Sequence, residues 1–127
     1  MIRVLLVDDQ PVVRRGLGLR LHLEPDMDVV GEARTGQEAL SLAQALAPDV
    51  VLMDVEMPEM DGIQATTALR ALRSPSAVVM MSIHDDLSTR TQAQAAGAVA
   101  FVTKNGMTEE LLAAIRQAAG QVEASQG

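Results

Sequence analysis

No cysteine occurs in the chain, which removes disulfides, thiolate metal sites and thiol nucleophiles together. Tryptophan and tyrosine are missing too, and Phe101 is the only aromatic residue. Basic residues are scarce: ten against seventeen acidic ones, for a formal net charge of −7. A chain that binds nucleic acid by itself usually carries the opposite balance, so direct DNA binding is not expected. Nine of the ten basic residues are arginine, and Lys104 is the only lysine. Long hydrophobic runs are absent as well. The longest, Ala95 to Val102, falls far short of the roughly 18 residues of a membrane span. At the N-terminus Val4-Leu5-Leu6-Val7 meets Asp8-Asp9 too soon for a signal peptide, so a cytoplasmic location is expected. His22 and His84 have no paired ligand spacing, which argues against zinc.

What is present is a hydrophobic share of 48% in 127 residues, enough for one core in one domain. Short apolar runs alternate with helical patterns five times. Strands are expected at Ile2–Val7, Val29–Ala33, Val50–Met53, Ala77–Met81 and Val99–Val102. The first helix follows Gln10 as N-cap and Pro11 at its first position. Thr35-Gly36-Gln37-Glu38 has the form of a capping box for the second. Asp61 is expected to cap a helix running to Leu72, Asp86–Ala96 to form a fourth closed by Gly97, and Thr108 to cap the last. Strands apolar on both faces, separated by helices, imply a parallel sheet covered on both sides. Right-handed crossovers make a doubly wound, five-stranded, flavodoxin-like α/β fold the economical arrangement. Residues 1–120 form this domain, and Gln121–Gly127 reads as a polar tail or the start of a linker.

In an open parallel sheet, ligands bind beyond the carboxyl ends of the strands. Asp8 and Asp9 follow the first strand, Asp54 the third, Ser82 the fourth, and Thr103-Lys104 the fifth. Converging carboxylates repel unless protonated or neutralised. With oxygen donors alone, a hard divalent ion is favoured, Mg²⁺ first. A metal and a lysine around a carboxylate suit phosphoryl transfer, with Asp54 as nucleophile. Each piece taken singly has a plainer reading: Asp8-Asp9 as a helix cap, Asp54 as a turn residue, Ser82 bonding local backbone, Lys104 in solvent. The plainer readings require four strand ends to agree by accident. Met53, Met57, Met60, Met80 and Met81 read as core filler, and Glu56 and Glu59 as a solvated loop around Pro58.

The segments Val4-Leu5-Leu6-Val7-Asp8-Asp9, Pro48 through Asp54 into Met57-Pro58-Glu59-Met60-Asp61-Gly62, Ser82, and Gly97-Ala98 leading to Lys104 resemble the receiver domain of two-component response regulators. The resemblance covers residues 1 to about 120. It implies that Asp54 is phosphorylated by a sensor histidine kinase. It also implies that Asp9, Asp54 and the backbone carbonyl of Glu56 ligate Mg²⁺, that Asp8 assists through water, and that Lys104 contacts the phosphoryl group. Ser82 and Phe101 fill the two switch positions, and the implied module is a phosphoacceptor switch, not an enzyme with an external substrate. Gln10 through Gly16, Val30-Gly31-Glu32-Ala33 and His84-Asp85-Asp86 resemble the NarL/FixJ (LuxR-type) branch. That branch implies a C-terminal helix-turn-helix DNA-binding domain, which these residues do not include, and a homodimer on phosphorylation. The chain departs from the family's usual pattern at Asn105, where many members have proline, at bulky Ile83, and at Phe101, which has no hydroxyl.

Three other functions compete. A haloacid-dehalogenase-like phosphatase also uses an aspartyl nucleophile, but places a second Asp two residues on, where this chain has Glu56 and no cap-sized insertion follows. A flavodoxin-type cofactor binder needs a first loop rich in Gly, Ser or Thr, and Asp8-Asp9 would repel its phosphate. A constitutive binding module normally lacks one of the acidic residues, and all are present here.

Overall fold

A computed structural model describes the backbone of residues 1–104 and 107–126 and the side chains of residues 1–104 and 109–122. Ten elements alternate along the chain: β1 (Ile2–Val7), α1 (Pro11–His22), β2 (Met27–Ala33), α2 (Gly36–Leu46), β3 (Val50–Asp54), α3 (Gly62–Ala71), β4 (Ala77–Ser82), α4 (Leu87–Ala96), β5 (Ala100–Thr103) and α5 (Met107–Gln126). The strands form one parallel sheet in the order β2-β1-β3-β4-β5. This is the doubly wound arrangement that the two-faced apolar strands call for.

Alternation along the strands divides the core in two. Val4, Leu6, Val50, Leu52, Val79 and Met81 face α1 and α5, meeting Leu17, Leu21, Leu111, Leu112 and Ile115. Leu5, Val7, Val51, Met53, Val78 and Met80 face the other way, toward Ala39, Ala43, Ala65, Leu69 and Ala93 of α2, α3 and α4. The helices on that second face are alanine-rich, which lets them approach a sheet side built from longer Leu and Met side chains. Met53, Met57 and Met80 are buried on that second face with Met60 packed against their cluster, and Met81 is buried on the first, all as filler.

Several boundaries depart from the sequence pattern. β2 starts two residues early because Met27 and Asp28 pair with Ile2 and Arg3, a long-range pairing that outweighs the polar break at Asp28. β3 and β4 each run one residue further, through Asp54 and Ser82, and β5 is shifted onward by one. Gln10 stands at the α1 N-cap without a side-chain cap; the Asp8 carboxylate accepts its backbone N–H instead, at 2.9 Å. Thr35 and Asp61 do cap their helices, Asp61 through a full capping box with Gln64; Asp86, expected as the first residue of α4, stands before it as the N-cap. The expected tail at Gln121–Gly127 is instead helical through Gln126. Val122 explains this: it is buried in the α5 face of the core and carries the apolar stripe beyond Ala119. Since α5 begins at Met107, Thr108 stands inside its first turn and not before it; the Thr108 side chain and Asn105 lie outside the described residues.

The start of α3 is tied tightly to the end of β3. Gly62 donates its N–H to the Val55 carbonyl at 2.9 Å, and a Cβ at Gly62 would collide with the Asp54 carbonyl oxygen and press on Met53. The obstacle is backbone, which cannot turn aside as a side chain can. Gly62→Ala is therefore expected to lower unfolding stability by roughly 1–3 kcal/mol, measured by urea denaturation, whereas Gly120→Ala, with open space at its Cβ, is expected to be neutral or stabilising.

Candidate functional site

β1 and β3 are neighbours, but the chain leaves β1 toward β2 on one side and reaches β3 on the other. At such a switch point the loops diverge and leave a crevice beyond the strand ends. The residues leaving β1 and ending β3 therefore face one another. Asp8, Asp9 and Asp54 each bring a carboxylate oxygen into a group lying within 4.8 Å of one another. Asp8 and Asp54 are buried and Asp9 is half-buried. Lys104, from the end of β5, reaches across β4 to place its ammonium 3.0 Å from Asp8 Oδ2 and 3.1 Å from Asp54 Oδ1.

Backbone bonds hold the loops that carry these groups. Asp8 donates its N–H to Ala33, Val55 to Met81, and Lys104 to Ser82, so each loop is pinned to the next strand. Glu56 donates its N–H to Asp54 Oδ1 at 3.3 Å. Arg14 of α1 donates to the Asp8 carbonyl at 2.6 Å and pairs with Glu32. No sequence pattern marks that brace, since Arg14 is one of three arginines in α1, with Arg15 and Arg20.

Ser82 is fully buried. Its hydroxyl donates to Glu56 Oε1 at 2.5 Å and accepts from the His84 N–H at 2.9 Å. Glu56 is thus not a solvated loop residue as the sequence suggests. Its side chain folds inward onto Ser82, and its other oxygen, Oε2, is buried without a hydrogen-bond partner among the described residues. Glu59 does lie exposed. Phe101 is half-buried on β5, with the Arg90 guanidinium 4.7 Å above its ring and Arg90 itself paired with Asp85. Ile83 turns outward, more than half exposed.

Three carboxylates and one ammonium leave an excess of negative charge in a largely dry site. Burial, and then the neighbouring Asp8 charge, push Asp54 up to about 7, against the opposing pull of Lys104. Burial disfavours the Lys104 ammonium, but hydrogen bonds to Asp8 and Asp54 together with the Asp54 charge outweigh it and raise its pKa. The donor set is all oxygen and acidic, and it fits a hard divalent cation that would replace protonation as the means of neutralisation.

A carboxyl that ionises near 4 in the unfolded chain and near 7 in the folded one destabilises the fold as pH rises between those values, because the folded state then binds more protons. With a chelator present, wild-type stability is expected to fall from pH 4.5 to pH 8, relative to Asp54→Asn, by roughly 1–3 kcal/mol. Thermal melts at the two pH values measure this. Parallel curves for the two proteins would show that Asp54 carries no such strain.

The family described as response regulator receiver domain matches residues 4–116. The chain is 44% identical over 119 residues to the transcriptional regulatory protein LiaR of Bacillus subtilis, covering 93% of this chain and 56% of that protein. It is 35% identical over 116 residues to the nitrate/nitrite response regulator protein NarL of Escherichia coli, covering 91% and 54%. The signal receiver domain of NarL from Mycobacterium tuberculosis superposes with a TM-score of 0.90 at 39% identity, over 94% of this chain and 96% of that one. A LuxR-family two-component response regulator from Aurantimonas superposes at 0.89 and 34% identity, over 94% and 85%. The chain spans about half the length of the curated relatives it matches. On the carboxylate-lined end of its parallel sheet and on these likenesses together, the chain belongs to the response regulator receiver domains of two-component systems, among those of the NarL and LiaR type.

Proposed function

We propose that Asp54 accepts a phosphoryl group from the phosphohistidine of a sensor histidine kinase and that the adduct switches the surface of the domain. The observation that carries this reading is the buried Asp54 carboxylate at the β1/β3 crevice, 3.1 Å from the only lysine and grouped with Asp8 and Asp9. An Asp54 oxygen attacks phosphorus in line; the new P–O bond forms as the P–N bond breaks, and the electron pair of that bond stays on the imidazole nitrogen. Lys104 faces the charge that moves onto the phosphoryl oxygens, and it is already held there by both carboxylates. Asp8, Asp9 and Asp54, with the Glu56 backbone carbonyl, are the residues that would hold Mg²⁺. When bound, that ion supplies charge neutralisation to the carboxylates and the transferring group.

The phosphorylated aspartate presents new acceptors with about 1.5–2 negative charges. The Ser82 hydroxyl turns toward them, and the Phe101 ring follows into the space vacated, so the surface of α4, β5 and α5 changes as a two-state population shift. Since Phe101 carries no hydroxyl, its contribution is burial alone. Longer relatives bear the names of transcriptional regulatory proteins. The output that fits this chain is a C-terminal helix-turn-helix domain beyond its last residue, controlled through a homodimer. No described helix is long and apolar enough to cross a membrane.

Intact-mass measurement after incubation with Mg²⁺ and acetyl phosphate is expected to show one added phosphoryl group, lost in Asp54→Ala and with a chelator. No adduct from acetyl phosphate or from a kinase would replace this reading with a constitutive binding module. Sedimentation of the phosphorylated domain at high concentration is expected to show a dimer; a monomer under both conditions would remove the dimer from the proposal for this length of chain.

A further inference from the structure

A serine hydroxyl has one proton to donate, and here it is already committed. Ser82 gives it to Glu56 Oε1 across 2.5 Å, in a fully buried position. Hydrogen bonds from a hydroxyl to a carboxylate are short and strong, about twice the strength of neutral ones. Ser82 Oγ also accepts the His84 N–H, so its orientation is set from both sides. Glu56 gains little else from turning inward. Its second oxygen is buried without a partner among the described residues, which is a cost to the folded state. An inward carboxylate that leaves one oxygen unsatisfied in order to grip one hydroxyl is a poor stabiliser of the fold. It is well suited to hold that hydroxyl.

We propose that Glu56 is a positioning residue that holds Ser82 in its resting orientation, so that switching must break the Glu56–Ser82 bond. This rests on the reading of Asp54 as phosphoacceptor and Ser82 as the moving hydroxyl. The Glu56 carboxylate and a phosphoryl group on Asp54 compete for the same proton. Glu56 lies two residues from Asp54, its N–H reaches Asp54 Oδ1, and its charge is among those felt by the Asp54 carboxylate. New phosphoryl charge repels the Glu56 carboxylate, whose second oxygen has no hydrogen-bond partner among the described residues, and its half-buried position leaves a way out to water. One event therefore weakens the old bond while offering the new one. The resting state is favoured before phosphorylation by the same group that yields afterward.

The two histidines provide the test, since His84 donates to Ser82 Oγ and His22 lies on α1. Labelling with ¹⁵N-histidine yields two backbone amide resonances, one reporting on Ser82 directly and one serving as control. Without any phosphoryl donor, Glu56→Ala is expected to move the His84 amide toward its position in the phosphorylated wild-type protein, with a roughly tenfold larger population of the switched orientation. His22 is expected not to move. Glu56→Gln, which keeps a neutral acceptor at the same reach, is expected to fall between the two. In a Ser82→Ala background, Glu56→Ala is expected to add no further shift, because its effect runs through that hydroxyl. A His84 resonance that stays at the resting position in both Glu56 variants overturns the proposal, as does an equal shift with and without Ser82. Should Glu56→Ala disturb His22 as well, Glu56→Gln decides by the same criterion. Failure of the underlying reading looks different: the wild-type protein gains no phosphoryl mass on Asp54, or gains it while His84 stays still.

Discussion

Two buried carboxylates, Asp8 and Asp54, share a single ammonium, with a third carboxylate at the rim. Like charges this close in a dry crevice are unfavourable unless a proton, a lysine or a cation intervenes. Most other features of the molecule follow from that constraint. Lys104 has to come from the far side of the sheet, at the end of β5, so that its ammonium meets the carboxylates without adding to the crowding at β1 and β3. The loops after β1, β3 and β5, which carry the charged groups, are each bonded to a neighbouring strand, because a carboxylate under repulsion stays in place only if its backbone is fixed. Arg14 adds a cation against the Asp8 carbonyl, bracing the β1–α1 loop from its helix.

The parallel sheet makes such a site possible and then restricts what it can be. Five strands end on one edge, so five loops can contribute side chains from residues far apart in sequence. Lys104 and Asp8 are separated by 96 positions. The strands beneath are buried on both faces, with Val50 through Met53 fully enclosed, and this rigid base fixes the distances between their ends. At Gly62 the α3 turn approaches the Asp54 carbonyl so closely that no side chain fits. Glycine there serves the close approach of backbone and not an unusual torsion.

From the carboxylates, contacts lead outward along the β4–β5 edge. Asp54 carries the Glu56 N–H, Glu56 grips Ser82, and Ser82 receives the His84 N–H. Asp85, the residue after His84, pairs with Arg90, and Arg90 lies over the Phe101 ring. The loop after β4 is thus tied to the buried hydroxyl at one end and to the only aromatic ring at the other. These contacts form one continuous spatial sequence.

The sequence by itself determined the architecture: apolar runs on both faces of five strands, Thr35 and Asp61 as caps, and Gly97 as a stop leave few alternatives to a covered parallel sheet. It also placed Asp8, Asp9, Asp54, Ser82 and Lys104 on one edge, since strand ends can be counted along a chain. Local patterns do not reveal pairing partners, which is why β2 begins earlier than its apolar run, nor do they reveal that Val122 carries α5 on through the polar stretch behind it. Tertiary structure alone decided how the side chains are used. Glu56 reads as solvated because it is a charged residue beside proline in a loop, and no periodicity announces a carboxylate that folds inward. The Arg14 brace and the Arg90 contact with Phe101 are hidden for the same reason. Burial and hydrophobic period are written along one dimension, but a hydrogen bond between distant loops exists only once the sheet has brought their ends together.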